Sequence, residues 1–88
     1  MQAKKIEYDR LEFKKDQEIP YLKGTRIRAD AIYVHDYITE NRTPEHIAKD
    51  RDLSIQDITQ AIEWGTANEG IIKKVLEREY KNRPIYKK

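Results

Sequence analysis

The chain has no cysteine among its 88 residues. It has no Gly-rich phosphate loop, no nucleophile motif, no internal repeat and no apolar stretch of bilayer length. Without thiols it builds neither a disulfide framework nor a thiolate metal site, and a reducing compartment is permitted. His35 and His46 stand eleven residues apart with no ligand-spaced partner, so no metal and no cofactor is expected. Asp50 and Asp52 read as turn and helix-end solvation rather than a two-metal carboxylate pair. Together these absences argue against an enzyme. The opening Met1-Gln2-Ala3-Lys4-Lys5-Ile6-Glu7 is charged where a signal peptide needs an apolar run. A soluble, cytoplasmic protein with no membrane partner is the expectation.

A further shortage is local: no lysine or arginine lies between Leu53 and Asn68. Net charge is only +2, but it is unevenly distributed. Residues 1–28 carry eight Lys/Arg against five Asp/Glu, residues 29–70 three against nine, and residues 71–88 seven against two. An acidic centre therefore lies between two basic ends. With 39% charged and 38% hydrophobic residues and a mean hydropathy of −0.99, the composition suits a compact middle with solvated ends. A chain this short buries roughly 60% of its unfolded surface, which makes self-association, as a homodimer, a reasonable source of extra stability.

What is present is the grammar of a helix-turn-helix. Thr43-Pro44-Glu45-His46 and Ser54-Ile55-Gln56-Asp57 are helix starts eleven residues apart, each with a hydroxyl side chain at the N-cap. Pro44 suits the first helical position, and Ser54 with Asp57 approximates a capping box. The pattern predicts a mainly α domain of three to four helices with a short N-terminal β-arm. Its divisions are a β-arm at 1–23, a helix-turn-helix core at 24–67, a C-terminal amphipathic helix at 68–82 and a basic tail at 83–88.

In the arm, Ile6 to Phe13 alternates like a strand with a phase slip near Asp9-Arg10, and Lys14 to Glu18 is a polar turn. Ile19 to Leu22 is a second extended segment, because Pro20 disfavours helix before it. Gly24 is placed to take a positive φ, with Thr25 beside it. Asp30, or Thr25 for an earlier start, would cap a first helix to about Glu40 whose stripe is Ala31, Val34 and Ile38, flanked by Tyr33 and Tyr37. The next helix buries Ile47 and Ala48, and Leu53 anchors the turn. The helix after Ser54 turns Ile55, Ile58 and Ile62 inward with Ala61, and Gly65 or Gly70 kinks or stops it.

At Gly24-Thr25-Arg26-Ile27, Thr43-Pro44-Glu45-His46-Ile47 and Asp52-Leu53-Ser54-Ile55-Gln56-Asp57-Ile58 the chain resembles the small bacterial family known as domain of unknown function 433. The likeness spans roughly residues 19 to 67. It implies a helix-turn-helix protein akin to VapB-type antitoxins, which are often paired with a PIN-like ribonuclease toxin. The departure lies in the arm. Glu18-Ile19-Pro20-Tyr21-Leu22-Lys23 stands where members commonly carry an Asp-Pro turn and a Gly-Lys-Pro-type stretch. The function implied is an antitoxin-like binding protein that neutralises such a toxin and binds operator DNA as a dimer. The alternative is an assembly module that uses the helix-turn-helix only as a scaffold.

In a DNA-binding helix-turn-helix the second helix enters the major groove. Here it offers Gln56, Thr59 and Gln60, and glutamine bonds adenine bidentately. However, Asp57 and Glu63 would face phosphates with no cation beside them. Lys4, Lys5, Arg10, Lys14 and Lys15 of the arm, interleaved with Tyr8 and Phe13, are the better electrostatic candidates, as a β-ribbon paired across a dimer. The competing reading is a solvated edge strand guarded by lysine. Arg28 joins the candidates for nucleic acid, whereas Arg26 reads as structural, paired to a carboxylate of the acidic centre. Gly24, Thr25, Thr43 and Ser54 are structural. Ile72, Val75, Leu76 and Tyr80 form an apolar stripe that either covers the chain's own core or serves as a dimer or partner face. Glu77 and Glu79 break the basic side of that helix, which weakens a membrane-surface reading.

Overall fold

The computed structural model describes residues 8–82, without the side chain of Asn82. Lys4, Lys5, the strand reading at Ile6 and the basic tail at 83–88 lie outside the described residues. The elements are β1 (Leu11–Glu12), β2 (Tyr21–Leu22), a π-helix (Ala31–Thr39), and helices α1 (Pro44–Arg51), α2 (Ile55–Ala67) and α3 (Glu69–Asn82). The protein is mainly helical with a small antiparallel sheet, as its patterning predicts.

The sheet is shorter than the alternation suggests. Leu11 faces Leu22 and Glu12 faces Tyr21, and both leucines are buried, so one face of the hairpin belongs to the core. Asp9-Arg10 turns the chain, with the Leu11 N–H donating to the Tyr8 carbonyl at 3.1 Å. Phe13, expected on a strand, lies outside it and exposed, its ring 6.3 Å from that of Tyr8. The hairpin does not project as a free arm. Leu11, Ile19 and Leu22 share one core with Ile32, Ile58 and Trp64.

Gly24 re-aims the chain with φ +79. Thr25 locks the turn: its hydroxyl donates to the Leu22 carbonyl at 2.9 Å and accepts from the Ile27 N–H at 3.0 Å. The chain then runs back along β2, with Leu22 N–H on the Ile27 carbonyl and Ala29 N–H on the Pro20 carbonyl, both 2.8 Å. This pairing fixes Ala29 inward and sets the phase of everything after it. The buried positions of the π-helix are accordingly Ile32, Tyr33 and Asp36, in phase with buried Ala29 just before it. The predicted stripe of Ala31, Val34 and Ile38 is wrong by one phase: Val34 is half-buried, and Ile38 and Tyr37 are exposed.

That helix also differs in winding, closing i→i+5 bonds over nine residues, an arrangement usually confined to single turns. Asp30 does not cap it. Its own backbone is already helical and its side chain makes no capping bond, because Arg28 takes the carboxylate. Asn41, at φ +57, ends the helix as expected, and the Arg42 N–H returns to the Asp36 carbonyl.

Both predicted caps form. Thr43 Oγ1 accepts the His46 N–H and Ser54 Oγ accepts the Asp57 N–H, each at 3.1 Å, satisfying donors that a helix start leaves open. Asp52, in the left-handed region, closes α1 and turns the chain through half-buried Leu53. On α2 the inward residues are Ile58, Ala61, Trp64 and Gly65, with Ile62 half-buried. Ile55, expected inward, is exposed because it is the first residue of the helix, at the edge of the core.

Neither Gly65 nor Gly70 stops α2. Asn68 does, leaving helical geometry while its side-chain amide donates to the Trp64 carbonyl. Gly65 instead lets α2 approach the π-helix. A Cβ there would lie 2.3 Å from Tyr33 Cγ. That ring atom is held close to the backbone and cannot swing away as a chain end would. Gly65→Ala is expected to destabilise the fold by about 2 kcal/mol, since overpacking outweighs the gain in helix propensity. A thermal melt that leaves the variant as stable as the parent would refute this packing.

Candidate functional site

Three arginines hold the helix-turn-helix to its surroundings. Arg10, at the hairpin turn, sends Nε to Asp57 Oδ1 at 2.8 Å and Nη2 to Ser54 Oγ at 3.1 Å. Its backbone N–H donates to Gln60 Oε1 at 2.8 Å, and Gln60 Nε2 donates to Asp9 Oδ1 at 2.6 Å. The first turn of α2 is thus clasped by the arm. The bond from Gln60 holds the Asp9 carboxyl below its usual range. Ser54 and Asp57 make only half a capping box, because the Asp57 carboxylate turns to Arg10.

Arg28 grips Asp30 in a fork, Nε to Oδ1 at 2.9 Å and Nη2 to Oδ2 at 2.8 Å, and its Nη1 reaches Glu79 of α3 at 2.7 Å. The bond to Asp30 first, and that to Glu79 next, raise its guanidinium above the ordinary value. Arg51, in the last turn of α1, places Nε 2.5 Å from Asp36 Oδ2 and Nη2 3.3 Å from Oδ1. Asp36 is only 2% exposed and also contacts His35 Nδ1 at 2.8 Å. Burial pushes its carboxyl up, but the bonds from Arg51 and His35 outweigh burial and leave it below the usual range. At the surface Arg42 pairs with Asp50, and Arg78 with Glu18.

These bonds revise the candidate nucleic-acid residues. Arg10, Arg28 and Gln60 already bond to other residues of the chain, so each would have to give up a partner to reach phosphate or base. The structural role expected of Arg26 falls to Arg28 instead. Arg26 is exposed and, among the described residues, has no ion pair, because the turn at Gly24 points the chain outward there while Arg28 lies beside Asp30. Gln56 and Thr59 are exposed on α2, so the Gln56/Gln60 pair does not act as a unit. Lys14 lies 4.9 Å above the Tyr21 ring and Lys15 is exposed, both in the hairpin.

The candidate contact surfaces divide likewise. Tyr8 is half-buried against the core, while Phe13 is open. Ile72 and Val75 of α3 are buried in the chain's own core, so most of their apolar surface is already covered; Leu76 and Tyr80 remain exposed. Gly24, Thr25, Thr43 and Ser54 keep their structural roles. Among the described residues no group of three or more His, Asp or Glu side chains could hold a metal ion, and no helix is long and apolar enough to cross a membrane.

Sequence reasoning missed Asp36, Gly65 and Glu79. Asp36 was signalled by its phase, since Ala29, Ile32, Tyr33 and Asp36 fall at i, i+3, i+4 and i+7. The partner Arg51 and the closeness of Gly65 to Tyr33 are tertiary facts with no local signature.

Because the folded Asp36 carboxyl titrates below its ordinary 3.8, its pair with Arg51 contributes full stability above that value and loses it as pH falls through the lower folded-state value. Asp36→Asn should cost about 2–3 kcal/mol at neutral pH. It should also flatten the fall of melting temperature in acid. Equal acid sensitivity in parent and variant would contradict the assignment.

No family model, curated protein or solved structure matches the chain.

Proposed function

We propose that this chain is an antitoxin-like protein-binding module whose helix-turn-helix is a frame presented to a basic protein partner, with self-association as part of its working state. The observation that carries this reading is the state of the α1–α2 surface. Glu45, Asp52 and Glu63 are exposed there and, among the described residues, have no ion pair. Lys49 is the one exposed cation of residues 44–67 without a partner among the described residues. Such a surface repels phosphate, whose neutralisation supplies most non-specific DNA affinity, and attracts a basic protein of ribonuclease-toxin type. The cations that could offset it, Arg10 and Arg51, are bonded to Asp57 and Asp36.

A second reading, operator DNA bound by the dimer, draws support from Lys15, Lys23 and Arg26, which are exposed around the hairpin and its following turn without ion pairs among the described residues. On that reading affinity comes from the hairpin and not from α2.

Affinity purification of the tagged chain from its native host should recover a basic protein in stoichiometric amount. Glu45→Lys, Asp52→Lys and Glu63→Lys together should release it. A short random-sequence duplex should show little binding at low salt. Recovery of no partner, with duplex binding that weakens steeply with salt and disappears in Lys15→Ala/Lys23→Ala/Arg26→Ala, would overturn the first reading in favour of the second.

A further inference from the structure

Helix α3 leaves the core after Val75: every residue from Leu76 to Lys81 is exposed, and the molecule is drawn out to 48 × 34 × 23 Å. Ion pairs at Arg78 and Glu79 tie this end to the body, but its apolar side chains, Leu76 and Tyr80, stay outside the chain's own core. Its surface is apolar and shaped. A hollow of about 310 Å³ is lined by Val34, Ile72 and Leu76 with Glu69, Lys73 and Glu77. A second hollow continues it through Leu76 and Glu77 to Tyr80 and Lys81. The two share a floor that runs along α3, and Tyr80 at its far end is 76% exposed.

The border of this groove is a row of side chains four apart, Glu69, Lys73, Glu77 and Lys81, alternating in sign. Glu69 accepts the Tyr33 hydroxyl, while Lys73, Glu77 and Lys81 make no ion pair among the described residues. In a two-fold contact, where parallel helices must lie in register, an alternating row is complementary to itself only when reversed. Turned antiparallel about the level of Val75, a second α3 sets Lys73 against Glu77 and Glu77 against Lys73, with Glu69 and Lys81 facing at the ends. Laid parallel and in register, the same row sets lysine on lysine and glutamate on glutamate, which costs rather than contributes.

We propose that the α3 groove is occupied by the α3 of a second copy of this chain, antiparallel across a two-fold axis near Val75, with Leu76 and Tyr80 as the buried anchors and Lys73–Glu77 as the pair that sets direction. A two-fold contact of this kind makes each favourable pair twice. The inference rests on the reading that the protein self-associates and adds to it the surface and the orientation. It leaves the α1–α2 surface free for a different partner.

Sedimentation equilibrium on the full chain and four variants tests it. The chain is expected to be a dimer, with Lys73→Glu and Glu77→Lys each weakening association about ten-fold by turning two attractive pairs into repulsive ones. The double variant Lys73→Glu/Glu77→Lys should restore it, and Leu76→Asp should abolish it. All three positions are on the exposed or groove side, and circular dichroism should report unchanged helix. A parent chain that stays monomeric at high micromolar concentration overturns both the self-association reading and this interface. A dimer indifferent to the single reversals, or one not rescued by the double, overturns the α3 geometry alone and moves the contact to another surface.

Discussion

The pairing of Asp36 with Arg51 is the constraint on which the helix-turn-helix depends. A carboxylate from the middle of the π-helix is nearly closed off from water, and a guanidinium from the last turn of α1 is the group that makes this tolerable. Removing Arg51 leaves the buried carboxylate without its main partner, so the two helices cannot drift apart without large cost. Fixing α1 in this way fixes the left-handed turn at Asp52 and so the start of α2. Gly65 then completes the arrangement by letting α2 meet the ring of Tyr33. The π-helix is held from both sides, by an ion pair at Asp36 and by close packing at Tyr33.

The same economy of charge runs through the molecule. A central segment rich in acids recruits arginines from its N-terminal flank: Arg10 from the hairpin reaches Asp57, and Arg28 reaches both Asp30 and Glu79 of the last helix. Arginine suits this work because its planar fork satisfies a carboxylate with two bonds at once. The described lysines are left at the surface. The chain's small net charge therefore conceals a division of labour, in which arginine joins elements and lysine, with the unpaired acids, faces whatever the protein meets.

Much of this was legible in the sequence. The caps at Thr43 and Ser54, Pro44 at the first helical position, the positive φ at Gly24 and the end at Asn41 all follow from local chemistry, and local chemistry does not depend on what packs nearby. The acidic character of α2 was legible too. The phase of the first helix was not, because it is set by the bonds between Pro20–Leu22 and Ile27–Ala29, which bring together residues from either side of a turn. Nor was the fate of Arg10, whose acceptors lie more than forty residues away. Basic residues in a sequence advertise charge; only tertiary structure shows whether that charge is already used. Ile72 and Val75 show the same limit for apolar residues, since periodicity marks a stripe without saying how much of it the chain covers itself.

Arginine ion pairs build the helix-turn-helix frame, and on the proposed function they stay closed in the presence of nucleic acid. Nuclear magnetic resonance of the side-chain Nε–H groups of Arg10, Arg28 and Arg51 tests it directly. Each proton should be resolved and slow to exchange with water, and its resonance should not move when duplex DNA is added at low salt. Exchange-averaged signals in the free protein, or shifts of these three on titration with DNA, would contradict it.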